Sequence, residues 1–135
     1  MADVTVVPAL VRPLDQKNIR RFTSAAVMTP GQPVYISAND TVDLTNGGAL
    51  GTASCIGVVV GGAAGGAAIA IGEEVDVKLL GAVTGYSTNM VAGTRYYCKD
   101  AAGIIADVAG TKVTLIGIGI NATTLLVMPN VVTVI

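Results

Sequence analysis

Where the chain is regularly patterned, apolar and polar residues alternate with the two-residue period of a strand, and turn residues break the pattern at short intervals. The clearest case is Glu73 to Leu80. Val75, Val77 and Leu79 fall on one face and Glu74, Asp76 and Lys78 on the other, which predicts a strand with one face on a core and one in water. Cys55 to Val60 is apolar without a break, the pattern of a strand buried on both sides. Further strands are expected at Gln32–Ile36, Thr41–Leu44, Gly81–Tyr86, Arg95–Cys98, Ile104–Val108, Val113–Ile118 and Thr123–Met128. Turns between them are marked by Pro30-Gly31, Asn39-Asp40, Asn46-Gly47-Gly48, Ala92-Gly93 and Asn121-Ala122. The Asn39 and Asn121 triplets match the glycosylation pattern but read as turn residues.

Before Ala25 the pattern changes. Val4, Val6, Val7, Leu10 and Val11 belong to an extended apolar segment interrupted by Pro8, and exposed apolar chain must lie on a body of some kind, its own or a neighbour's. Residues 12–24 are the most polar stretch, with at most one helical turn over Lys17–Phe22. The expected organisation is an extended N-terminal arm and linker over residues 1–24, then one β domain over 25–135. A faint echo at a spacing of about 60 residues suggests two similar β units, near 27–60 and 89–118. Pro33-Val34-Tyr35-Ile36 is answered by Arg95-Tyr96-Tyr97-Cys98, and Ile56-Gly57-Val58 by Ile116-Gly117-Ile118.

Composition agrees with the pattern. Val, Ile and Thr supply 45 of 135 residues, so short strands are favoured over long helices. The fold class expected is all-β: a small antiparallel β-barrel or sandwich of short strands carrying an N-terminal arm.

Candidate chemistry is sparse. With no histidine, the Ser-His-Asp and Cys-His arrangements and His-containing zinc sites are excluded. Glu73, Glu74 and Asp76 read as the solvated face of a strand rather than an acid/base pair, and no enzyme constellation or cofactor site is expected. Cys55 and Cys98 read as two buried free thiols. A formal charge of −1 gives no field for nucleic acid, despite the small group Arg12, Lys17, Arg20 and Arg21. The uncharged segment Ala49–Gly72 is built mainly of Ala and Gly without an aromatic belt, so no membrane span is expected; Gly61-Gly62 and Gly65-Gly66 read as a loop between strands, able to approach a neighbouring chain closely. The N-terminus lacks the positive start of a signal peptide. Of Tyr96 and Tyr97, adjacent on one strand, one should enter the core and the other face outward.

The ordered series Pro30-Gly31 then Val34-Tyr35-Ile36, Cys55-Ile56-Gly57-Val58-Val59, Gly72-Glu73-Glu74-Val75-Asp76-Val77, Ala92-Gly93-Thr94-Arg95-Tyr96-Tyr97, Ile116-Gly117-Ile118 and Thr123-Thr124-Leu125-Leu126-Val127 resembles the small head decoration, or cement, proteins of tailed bacteriophages. The likeness spans most of residues 25–128. It implies a virion protein, made in the host cytoplasm, that binds the outer surface of an icosahedral capsid as homotrimers at threefold and quasi-threefold positions and clamps neighbouring major capsid protein subunits. On that expectation Val4, Val6, Val7 and Leu10 touch capsid or a neighbouring subunit, and Arg12, Arg20 and Arg21 pair with acidic capsid groups. A tail, baseplate or fibre-base protein of the same kind of particle is the alternative.

Overall fold

The computed structural model describes residues 3–62, 68–86 and 89–131. Among them are eleven strands and two single-turn 3₁₀ segments, an all-β fold. The strands β2 (Ile19–Ser24), β3 (Pro33–Ala38), β4 (Thr41–Leu44), β5 (Cys55–Gly62) and β6 (Glu74–Lys78) form a closed barrel in the order β2-β4-β3-β5-β6. Every neighbouring pair is antiparallel except β2 and β4, whose parallel pairing at Thr23–Thr41 and Ser24–Val42 shuts the barrel. Phe22, Met28, Val34, Val42, Val59, Ile69, Val75 and Val77 fill its interior.

The second layer is a six-stranded sheet made of β1 (Arg12–Pro13), β7 (Gly81–Thr84), β8 (Arg95–Cys98), β9 (Ile105–Ala106), β10 (Thr114–Gly119) and β11 (Thr124–Val131), in the order β1-β7-β11-β10-β8-β9. Leaving β1 aside, this is the barrel's own order repeated. The correspondence reaches single residues: Val34 faces Gly57 as Tyr96 faces Gly117, and Tyr35 faces Cys55 as Tyr97 faces Leu115, with an irregularity in register at the same place. It continues through Val58–Lys78 and Ile118–Leu126, Ile36–Val42 and Cys98–Ile105, and Arg20–Val77 and Val83–Leu125. The repeated unit is therefore five strands long, residues 19–78 and 81–131, wider than the sequence echo.

The units differ in how they close. Among the described residues the second has no counterpart of the β2–β4 pairing; the N-terminal segment occupies that seam. Val4 donates its backbone N–H to the Ile105 carbonyl at 2.7 Å on the β9 side, and Val7 donates to Gly85 at 3.1 Å on the β7 side. Bridges Asp3–Ala106 and Val6–Tyr86 flank these bonds, and Arg12–Pro13 then pairs with β7. Val4 and Val11 are buried with Val83, Tyr86, Ile105, Ile116, Leu125 and others in the second core. The division at residue 24 thus needs correction: residues 3–13 belong to the second unit, and 19–24, expected to hold at most a helical turn, are barrel strand β2. Arg20 and Arg21 made this stretch look like a polar linker, yet Phe22 and Ser24 point inward.

Strand β5 is the wall between the cores. Val59 turns into the barrel while Cys55 and Val58 turn toward the second sheet, which explains its unbroken apolar sequence. Loop bonds tie the units further: Gly47 donates to the Lys99 carbonyl, Lys112 to Gly47, and Gly103 to Thr45, each at 2.8 Å.

One residue of the alternating strand departs from expectation. Lys78 shares parity with Glu74 and Asp76 but is fully buried at the end of β6. The 14–18 loop folds over it, so its ammonium donates to Asp15 Oδ1 at 2.7 Å and to the carbonyls of Lys17 at 2.6 Å and Asp15 at 3.1 Å. Removing a buried, fully bonded cation leaves acceptors unmet and a void; Lys78→Ala should cost about 3 kcal/mol in urea denaturation, and Lys78→Met less because its stem still packs. The bonds from Lys78 and from the Lys17 backbone N–H hold the Asp15 carboxyl below its ordinary value. That contribution is complete above the ordinary aspartate range and is lost as pH falls through the depressed value, so Lys78→Met should flatten this part of the acid titration of stability.

Candidate interaction surface

The residues expected to make contacts separate into three groups. Val4 is 8% exposed in the core, so it is not free to touch a partner while the seam is filled, and Val6 packs partly buried against it. This corrects the expectation for Val4: its apolarity serves the fold of its own chain. Val7 and Leu10 behave differently. Val7 precedes and Leu10 ends the first 3₁₀ turn, Pro8–Leu10, whose bonds from Leu10 to Val7 and from Val11 to Pro8 turn the chain outward, leaving the two side chains 39% and 63% exposed. Proline at the first position of the turn needs no donor there. Exposed Arg12 follows, and Leu10 and Arg12 together line a shallow cleft of about 270 Å³ with Thr84, Gly85, Tyr86 and Thr123.

Arg20 and Arg21 lie on the barrel. Arg21 donates to both carboxylate oxygens of Asp76, at 2.8 and 3.1 Å, with Glu74 nearby at 3.6 Å, so its guanidinium is held charged more firmly than usual. Arg20 reaches Asp40 at 2.9 Å and lies 5.1 Å from the centre of the Phe22 ring. The acidic partners expected for both on another protein are thus found within the chain. All of these pairs are solvent-exposed and add little to stability.

A second surface was not anticipated from sequence. At the barrel mouth, Arg20, Phe22, Ile36, Ile56, Leu79 and Pro129 border an open hollow of about 340 Å³, and Ile36 is 53% exposed. Its only sequence signal is the apolar character of Ile36, on β3, and of Leu79, just past the end of β6. Tyr96 is buried, its hydroxyl accepting from the Val91 N–H at 2.8 Å, while Tyr97 is half-buried. Tyr86 is also buried and donates its hydroxyl to the Gly31 carbonyl at 3.1 Å, fastening the second unit to the barrel's first turn; burial pushes its phenol well above the ordinary value.

Among the described residues, no group of three or more Cys, Asp or Glu side chains is placed to hold a metal ion, and no helix is long and apolar enough to cross a membrane. Of the glycines expected to form a loop, Gly61 and Gly62 instead end strand β5, paired with Asp76 and Val75, and Gly65 and Gly66 lie outside the described residues. No protein-family model matches this chain, and no curated protein matches it.

Proposed function

We propose that this chain is a structural virion protein that binds the outer surface of a mature icosahedral capsid and stabilises it by clamping adjacent major capsid protein subunits, as trimers at threefold and quasi-threefold positions. The observation that carries the reading is the knob at the 3₁₀ turn: two exposed apolar side chains, Val7 and Leu10, beside the exposed cation Arg12, held outward by a segment bonded on both sides into the fold. Such a knob has little to do within the chain and suits a partner offering an apolar hollow rimmed by carboxylates. Each piece of the ordered sequence series contributes to a strand of the double unit. A clamp works by mass action: a protein that binds the assembled shell and not its free subunits stabilises the shell with every copy bound.

Leu10→Asp tests this directly. Leu10 makes no core contact, so the variant should melt within a few degrees of the parent while its occupancy on capsids falls at least about tenfold. Unchanged occupancy in the double variant Leu10→Asp, Arg12→Glu would refute the knob as the contact.

A further inference from the structure

The two cysteines, far apart in the chain, meet between the two units. Cys55 opens β5 of the barrel and Cys98 ends β8 of the second unit, and both are buried in the second core as free thiols. Within that core each thiol is the strongest influence on the other's ionisation, and the Cys55 thiol donates to the Gly57 carbonyl at 3.4 Å. Cys55 also lines the open hollow at the barrel mouth, so one member of the pair adjoins a route from solvent and the other sits behind it.

We propose that Cys55 and Cys98 are a modification site: a dithiol that a small peroxide entering through the barrel mouth converts to an intramolecular disulfide, stapling the first unit to the second. The Cys55 sulfur, as thiolate, attacks one peroxide oxygen; the O–O bond breaks and hydroxide leaves, taking up a proton to become water. Cys55 is then a sulfenic acid. The Cys98 sulfur displaces its hydroxyl, the S–S bond forms, and the Cys98 proton leaves with that hydroxyl as a second water. Two thiols and one peroxide thus give one disulfide and two waters, with two electrons passing from sulfur to oxygen.

The local chemistry divides these roles. Cys55 is the member that lines the hollow, and the neighbouring Cys98 thiol holds its pKa down despite burial, whereas the proximity of Cys55 and desolvation push Cys98 up and keep its proton in place for the second step. Tyr86, packed in the same core, is likewise held protonated by burial. A chain folded in reducing surroundings keeps both thiols; transfer to oxidising surroundings sets the staple. This inference does not depend on a capsid partner, so it stands or falls separately from the proposed function.

The test uses the purified full-length chain, reduced, treated with hydrogen peroxide, then denatured and alkylated for intact-mass measurement. The expected product has lost two hydrogens, takes up no alkylating agent, and yields a linked peptide pair containing Cys55 and Cys98. It should melt roughly 5–15 °C above the reduced chain, since the bridge closes a long loop. Cys98→Ser should gain oxygen at Cys55 and show no such rise in melting temperature. Two thiols still open to alkylation, oxygen addition without hydrogen loss in the wild type, or bridges formed only between chains would overturn the proposal, and the wild-type mass decides even if the variant folds poorly.

Discussion

Deleting residues 1–11 is expected to unfold the second unit rather than to free an arm from an otherwise intact body. The segment completes a seam that the first unit closes for itself through β2 and β4, and it brings Val4 and Val11 into the same core as Val83, Tyr86 and Ile105. Losing two buried valines costs about 2 kcal/mol each, and opening the seam exposes further apolar surface and the bonded groups of Ile105 and Gly85. The total, about 5 kcal/mol or more, is comparable with the whole net stability of a domain of this size. The shortened chain should therefore lose near-ultraviolet circular dichroism from its tyrosines and cooperative urea unfolding at 25 °C. Val4→Asp should reproduce much of the effect, and Val7→Ser should stay within about 0.5 kcal/mol of the parent. A shortened chain with the parent's melting temperature would contradict the role assigned to the seam. For functional work, loss of binding after truncation would then report on folding, which is why the point variant Leu10→Asp is the more informative probe of contact.

The second large effect is expected at a matched pair of glycines. Gly57 of β5 and Gly117 of β10 occupy the same place in the two units, next to the register irregularity. A methyl group on Gly57 would run into the Lys78 carbonyl, and one on Gly117 into the Leu126 carbonyl; Lys78 and Leu126 are themselves equivalent by their pairing with Val58 and Ile118. The obstacle in each case is backbone, which cannot rotate aside as a side chain can. Gly57→Ala and Gly117→Ala should each cost about 3 kcal/mol or more, at the upper end of overpacking. Gly61→Ala, in the same strand β5 but with open space around the added carbon, should be nearly neutral. Urea titrations of the three variants check this; equal stability for Gly57→Ala and Gly61→Ala would remove the close approach as the reason for the conserved geometry of the two units.

What the sequence makes legible is set by which interactions are local. Alternation over Val75 and Val77 exposed β6 because a half-buried strand writes its environment directly into its residues. Lys78 could not be read that way: its burial depends on the 14–18 loop folding over the barrel end, a contact more than sixty residues back along the chain. Strand β2 is hidden in the sequence for a related reason, since its charges serve Asp40 and Asp76 across the barrel wall and only Phe22 and Ser24 carry the inward pattern. The echo was visible where Gly57 and Gly117 impose the same residue, and invisible where Arg20 in one unit answers Val83 in the other. The hairpins leading to β6 and β11 also differ in length, which breaks a constant spacing. Of the candidate surface, the apolar and basic residue types were legible, whereas the split between buried Val4 and exposed Leu10 is set by the 3₁₀ turn and by the distant strands that receive the arm. The barrel mouth was legible only from the closed topology.

The central claim, attachment to the outside of a capsid, is tested most directly by counting copies of this chain on intact particles purified from its source, before and after removal of the tails. Decoration predicts several hundred copies that stay with the heads. A few copies lost with the tails would assign the chain to a tail or baseplate, and none at all would contradict a place in the virion.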